Sequence, residues 1–246
     1  MKKIIALVLA MVTMLAVVGC TKTEQPSTNA PTPTTNKYND GTYVAFGNGT
    51  DKGYGMVEVT IENDVIVDVQ VTEFNGIGVE KGEAYTYEAF HTAKAEMPGR
   101  FVEANGTDVE TVSGATGSSS NWILAVERAL EKALVEPASA TTLFNGTFYG
   151  VSDATDKGRS VALVTIEDDK IVEVKLLATT FTKDDVPKEV FKNEEYPYAT
   201  FHEAAVEMAA RFVEANGPEV DTFTGATGSS VQWKQAVERA LEKATR

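Results

Sequence analysis

Val57-Glu58-Val59-Thr60-Ile61-Glu62-Asn63-Asp64-Val65-Ile66-Val67-Asp68-Val69-Gln70-Val71 reads as two strands and a tight turn. Apolar and polar residues alternate on both sides of Glu62-Asn63-Asp64, the period of a strand with one buried face. Alternation predicts that Val57, Val59 and Ile61, and then Val65, Val67, Val69 and Val71, share that face. The same hairpin returns 105 residues later, where Val164-Thr165-Ile166-Glu167-Asp168-Asp169 matches Val59 to Asp64 and Val172, Val174 and Leu176 are expected to be buried. Just before each hairpin, Gly41-Thr42-Tyr43 is matched by Gly146-Thr147-Phe148. Farther along the offset becomes 111: Phe101-Val102-Glu103-Ala104-Asn105-Gly106 recurs as Phe212 to Gly217, and Ala125 to Ala133 as Ala236 to Ala244. The second copy therefore holds six extra residues between Phe181 and Lys192.

Helical periods follow each hairpin. Tyr85 to Asn105 and Tyr196 to Asn216 are expected to be helices stopped by Gly106 and Gly217, with Pro98-Gly99 kinking or splitting the first. The closing helix of each copy carries an apolar stripe: Trp122, Ala125, Val126, Ala129, Leu130 and Ala133, then Trp233, Ala236, Val237, Ala240, Leu241 and Ala244. Strands followed by segregated helices make an α+β class. Two copies of about a hundred residues suit two tandem homologous domains, each an antiparallel sheet with packed helices, better than a solenoid of short units. The domains are expected at 41–134 and 146–246, with 135–145 as the join.

The start of the chain reads differently. Lys2-Lys3, an apolar run from Ile4 to Val18, Gly19 and the single cysteine, Cys20, form a secretory signal over 1–19. Val17-Val18-Gly19-Cys20 resembles a bacterial lipobox, which implies cleavage before Cys20 and a lipid on its sulfur. The Thr-, Pro- and Ser-rich stretch after it makes 20–40 a lipidated cysteine and disordered tether, spanning on the order of 25 Å as a coil. Removing the signal takes the formal net charge from −14 to −16, which disfavours nucleic acid. With Cys20 acylated, no disulfide, iron–sulfur cluster or thiolate metal site can form, and two histidines, His91 and His202, are too few for a metal centre. No catalytic acid, base or nucleophile stands out.

The chemistry concentrates in a second repeated phrase. Val112-Ser113-Gly114-Ala115-Thr116-Gly117-Ser118-Ser119 returns as Phe223-Thr224-Gly225-Ala226-Thr227-Gly228-Ser229-Ser230, each running into the closing helix. Such a loop can cap the helix through Thr116 or Ser118, bind a phosphate on the unpaired N–H groups of the helix start, or carry a phosphoryl-linked group on a hydroxyl. The residues alone leave all three open.

Glu110-Thr111-Val112-Ser113-Gly114-Ala115-Thr116 and Asp221-Thr222-Phe223-Thr224-Gly225-Ala226-Thr227 resemble the Asp-x-x-Ser/Thr-Gly-Ala-Thr flavinylation motif of the FMN-binding domain family. The likeness spans nearly the whole body of the chain. It is similar to double-domain lipoproteins of Gram-positive extracellular electron transfer. The resemblance implies that a flavin transferase links FMN through a phosphodiester bond to Thr116 and Thr227, two covalent cofactors in all. Glu110, Ser113, Gly114, Ala115, Ser118 and Ser119, with Asp221, Thr224, Gly225, Ala226, Ser229 and Ser230, are then expected to surround them. The first copy departs from the motif with Glu110 in place of aspartate, so the transferase is expected to recognise it less well. Tyr85, Tyr87, Phe90 and Trp122, with Tyr196, Tyr198, Phe201 and Trp233, are the aromatic candidates for the ring, against core packing for each.

Taken together, these readings describe an electron carrier rather than an enzyme, lipid-anchored on the outer face of the cell membrane. It would relay electrons from a membrane dehydrogenase or quinone to outer acceptors. The alternative from another class is a lipid-anchored binding or adhesion module without a cofactor. A flavin reductase acting on a small acceptor is a third.

Overall fold

A computed structural model describes residues 36–246; the signal, Cys20 and most of the tether lie outside the described residues. The first repeat contains β1 (Gly41–Phe46), β2 (Gly53–Glu62), β3 (Val65–Asn75), α1 (Glu88–Ala104) and α2 (Thr116–Ala133). The second contains β4 (Gly146–Val151), β5 (Ser160–Glu167), β6 (Lys170–Phe181), β7 (Glu189–Phe191), α3 (Ala199–Ala215) and α4 (Thr227–Ala244). The sheets run β1-β2-β3 and β4-β5-β6-β7, and every pairing is antiparallel. The fold is α+β. The six extra residues of the second repeat let the chain turn back and add β7 to the edge; the first repeat manages only one bridge there, Phe74 to Glu80.

The hairpin turns are two-residue turns with both residues left-handed: Asn63 (φ 52°) and Asp64 (φ 65°), then Asp168 (φ 47°) and Asp169 (φ 62°). Past the turn, simple alternation fails. Ile61 pairs with Ile66 but Thr60 pairs with Asp68, so Val67 is a bulged extra residue. The bulge resets the phase: Ile66, Val69 and Val71 are buried, while Val65 and Val67 stand exposed. Val172 is exposed for the same reason, and Ile171, Val174 and Leu176 take the core face.

Two further expectations are corrected. The first helix is not split at Pro98; α1 runs 17 residues through it, because Phe90, Ala93, Met97 and Phe101 anchor it on both sides and proline removes only one backbone bond. Nor do Gly106 and Gly217 take the left-handed position at the helix ends. Asn105 (φ 46°) and Asn216 (φ 51°) do so. Their side chains explain the choice. Asn105 accepts the Ile66 N–H (2.8 Å) and donates to the Asp64 carbonyl (3.1 Å), tying the helix end to the hairpin turn, and Asn216 repeats this with Ile171 and Asp169.

Each repeat has its own core around a fully buried tryptophan. Trp122 Nε1 donates to the Thr72 carbonyl and Trp233 Nε1 to the Leu177 carbonyl, both at 2.9 Å. A third apolar cluster joins the repeats. It holds Tyr54, Tyr149, Val161 and Leu163, flanked by Phe46, Phe74, Val151, Leu177 and Phe191, and the Tyr54 and Tyr149 rings stack at 5.4 Å. Around it the polar ties are specific. Gly49 N–H donates to the Thr147 carbonyl (2.7 Å), and the Tyr149 hydroxyl to the Gly76 carbonyl. Arg128 is buried, donates to the Phe46 carbonyl (2.6 Å), Asn48 Oδ1 (2.7 Å) and the Asn145 carbonyl (2.8 Å), and lies over the Phe148 ring. Lys243 donates to the Tyr149 carbonyl (2.6 Å) and covers the Tyr54 ring. The repeats thus form one compact body.

Arg128→Leu would strand three acceptors at this junction and is expected to lower the unfolding free energy in urea by about 3 kcal/mol. Its counterpart Arg239, more exposed and paired with Asp153, should cost under about 1 kcal/mol when changed to Leu. Burial also pushes the Lys243 ammonium from 10.5 down to about 8 and the Tyr54 phenol from 10.0 up to about 12. From about pH 8 to 10.5 the unfolded chain therefore holds a Lys243 proton that the folded chain lacks, and stability rises with pH. Above about pH 10 the unfolded tyrosine loses a proton that folded Tyr54 keeps, and stability falls. Urea midpoints should peak between these limbs, and Lys243→Met should flatten the rising one.

Candidate functional site

The repeated loop is held from inside. Ser119 is fully buried; its Oγ accepts the Val112 N–H (3.1 Å) and donates to the Ala115 carbonyl (2.9 Å). Ser230 makes the same pair of bonds with Phe223 and Ala226, both at 3.0 Å. These two hydroxyls, expected at the cofactor, are instead internal struts of the loop. A second brace comes from the preceding helix: the Tyr87 hydroxyl donates to the Gly114 carbonyl and the Tyr198 hydroxyl to the Gly225 carbonyl, each at 2.8 Å. Gly114 (φ 79°) and Gly225 (φ 85°) are left-handed, a backbone that a side chain would strain. A Cβ on Gly114 would also press to 3.0 Å from Ala89.

The braces leave the helix start open. Ala115 and Ala226 occupy the N-cap positions, and no side chain caps either helix. Thr116 and Thr227 are the first residues of α2 and α4, not caps, and both are exposed. The N–H groups of Thr116, Gly117 and Ser118, and of Thr227, Gly228 and Ser229, have no acceptor among the described residues. A helix start in this state attracts an anion.

Each start opens into a cleft. The first, about 330 Å³, runs between Gly114, Ala115, Gly117 and Ser118 of the loop, Tyr54 of β2, Glu73 of β3, and Lys81, Tyr85, Tyr87 and Phe90 ahead of and within α1. Thr116 stands between two of its lining residues. The second, about 600 Å³, is bounded by Gly225 to Ser229, Thr155 to Lys157, Thr179, Lys192, Tyr196, Tyr198, Phe201 and Gln232. Both volumes lie within the roughly 300–1,000 Å³ of small-molecule sites.

Of the expected aromatics, the tyrosines and phenylalanines line the clefts, whereas Trp122 and Trp233 are core residues. His91 and His202 contact the Tyr85 and Tyr196 carbonyls and line neither cleft. Ser118 and Ser229 line the clefts as expected; Ser113 and Thr224 are exposed outside them. Glu110 and Asp221 are also exposed and lie outside the cleft walls. Only their backbone carbonyls are fixed, by Arg100 (2.7 Å) and Arg211 (3.0 Å). Among the described residues no cluster of His, Cys, Asp and Glu could hold a metal ion, and no helix is long and apolar enough to cross a membrane.

The wall also contains charges that the sequence reading passed over. Lys81 forms an ion pair with Glu73 in the first cleft, both side chains nearly buried, and covers the Tyr85 ring at 5.0 Å. Glu73 Oε2 is a buried acceptor without a partner. In the second cleft Lys192 covers the Tyr196 and Phe201 rings at 4.6 and 4.5 Å, and burial lowers its pKa. The spacing of Lys81 to Tyr85, repeated as Lys192 to Tyr196, was the available signal. An open helix start, an aromatic wall and an ammonium suit a ligand with a phosphate at one end and a flat ring at the other. In the first cleft the Lys81 ammonium is a donor on the wall, beside the Tyr85 ring.

The family model described as the FMN-binding domain matches this chain twice, over residues 52–131 and 157–242. A crystal structure of the CPE2226 protein from Clostridium perfringens is similar at 20% identity, covering 39% of this chain and 88% of that one, with a TM-score of 0.35. No curated protein matches the chain. Both matched segments include an open helix start and most of its cleft, and the chain belongs to the FMN-binding domain family, with two such domains in tandem.

Proposed function

We propose that this protein is an electron carrier with two FMN groups, each joined by a phosphodiester bond to Thr116 or Thr227. It sits on the outer face of the cell membrane through a lipid on Cys20. There it relays electrons from a membrane dehydrogenase or quinone to outer acceptors, and it is not itself an enzyme. One observation carries the reading: twice, an exposed threonine is the first residue of a helix whose N–H groups are unpaired and whose start opens into an aromatic cleft.

FMN, when bound, supplies reversible acceptance of electrons. The chain does the rest. The N–H groups of Thr116 to Ser118 and Thr227 to Ser229 would hold the phosphate, with the Ser118 and Ser229 hydroxyls beside them. Tyr85 and Phe90, or Tyr196 and Phe201, would shield the ring from water. Lys81 and Lys192 would donate to its carbonyl edge. Glu110 and Asp221, exposed beside the loop, would serve recognition by the transferase.

Protein co-expressed with a flavin transferase should show two FMN additions in its denatured intact mass and keep flavin fluorescence through a denaturing gel. Thr116→Ala and Thr227→Ala should each remove one addition. A colourless protein with no added mass would instead favour the adhesion module. Steady turnover with a soluble donor would favour the reductase. Glu110→Asp restores the family's acid and should raise occupancy at Thr116 under limiting transferase, read from the same mass spectrum.

A further inference from the structure

The clefts are copies, but their charges are not. Lys52 in the first and Lys157 in the second are equivalent by the offset of 105 and both are exposed, so they cancel. Asp156 lines the second cleft but is exposed, as is its counterpart Asp51, and water screens both. The difference lies deeper. Lys81 is neutralised by Glu73, with side-chain exposures of 11% and 13%. The position of Glu73 on β3 is taken on β6 by Ala178, which is buried. Lys192 therefore forms no ion pair among the described residues. One other carboxylate approaches the second cleft: Glu189 of β7, which accepts from Thr179 Oγ1 (2.6 Å). It is already paired with Arg159 at 3.0 Å.

We propose that the Glu73–Lys81 pair and the uncompensated Lys192 give the two flavin sites unequal midpoint potentials, the second more positive, so that electrons pass from the first cleft to the second. The inference rests on the two-flavin reading above. A flavin ring that takes up two electrons and one proton gains one negative charge. A partly desolvated ammonium beside it stabilises that charge. In the first cleft the ammonium's field is cancelled at its source by the Glu73 carboxylate. In the transfer, the reduced ring of the first cleft gives up two electrons and releases its proton to solvent. The oxidised ring of the second takes the electrons and a proton from solvent. Electrons first reach the chain from a quinol or a reduced membrane dehydrogenase. Tyr54, which lines the first cleft, is stacked on Tyr149 of the second repeat, so the two sites are fixed in one body.

The test uses the full chain loaded by a flavin transferase. Denatured mass comes first: absence of bound FMN refutes the two-flavin reading and with it the premise, before any potential is measured. With loading shown, Thr227→Ala reports the first site alone and Thr116→Ala the second, each titrated by flavin absorbance. The second midpoint is expected to be the more positive. In the Thr116→Ala background Lys192→Gln should shift it negative, and Lys192→Arg, which keeps the charge, should restore it. In the Thr227→Ala background Glu73→Gln should shift the first midpoint positive. Equal midpoints, a more positive first site, or a second midpoint unmoved by Lys192→Gln would overturn the proposal. Should Glu73→Gln fail to fold, as its urea transition would show, the Lys192 pair decides alone.

Discussion

A helix start can be capped by its own sequence or left open for something else to complete. Ser119 and Ser230 decide the matter here. By bonding the loop internally, they fix the turn that leads into Thr116 and Thr227, the first helical residues, and no side chain caps the N–H groups there. Three unpaired donors at one end of a helix dipole are a standing cost of up to a few kcal/mol unless water or an anion fills them. The tyrosine braces, the left-handed glycines and the clefts are all arranged around that opening. Function follows from it, because a phosphate held there fixes whatever ring it carries against the aromatic wall.

Much of this was readable in one sequence. The duplication, the hairpins, the helical stripes and the repeated loop all depend on local periods that a chain displays directly. What escaped detection was relational. Alternation puts Val67 and Val172 in the core, because a bulge is a property of two strands in register and neither strand alone reveals it. The left-handed role of Asn105 and Asn216 depends on a hairpin turn some forty residues away. Ser119 was a different kind of miss. It sits three residues before Trp122 on the buried stripe, as Ser230 sits before Trp233, and helical phase alone would have turned both inward. The Glu73–Lys81 pair needed a comparison of the copies for their differences as well as their matches.

Duplication also explains the asymmetry. Two identical halves would have presented two identical clefts, each with the same charge. Ala178 in place of a strand carboxylate, and the added β7, set the second cleft apart while both repeats keep the same tryptophan core. The open helix start is common to both sites. The surroundings that tune them are where the copies have diverged.

Tyr54 belongs to two structures at once. It is a wall of the first cleft and also the ring on which Tyr149 of the second repeat is stacked, under the Lys243 ammonium near the chain's end. Within its own repeat the ring also stacks on Phe74, at 4.9 Å. A change at this one side chain therefore touches the wall of a cleft and the seam between the repeats together.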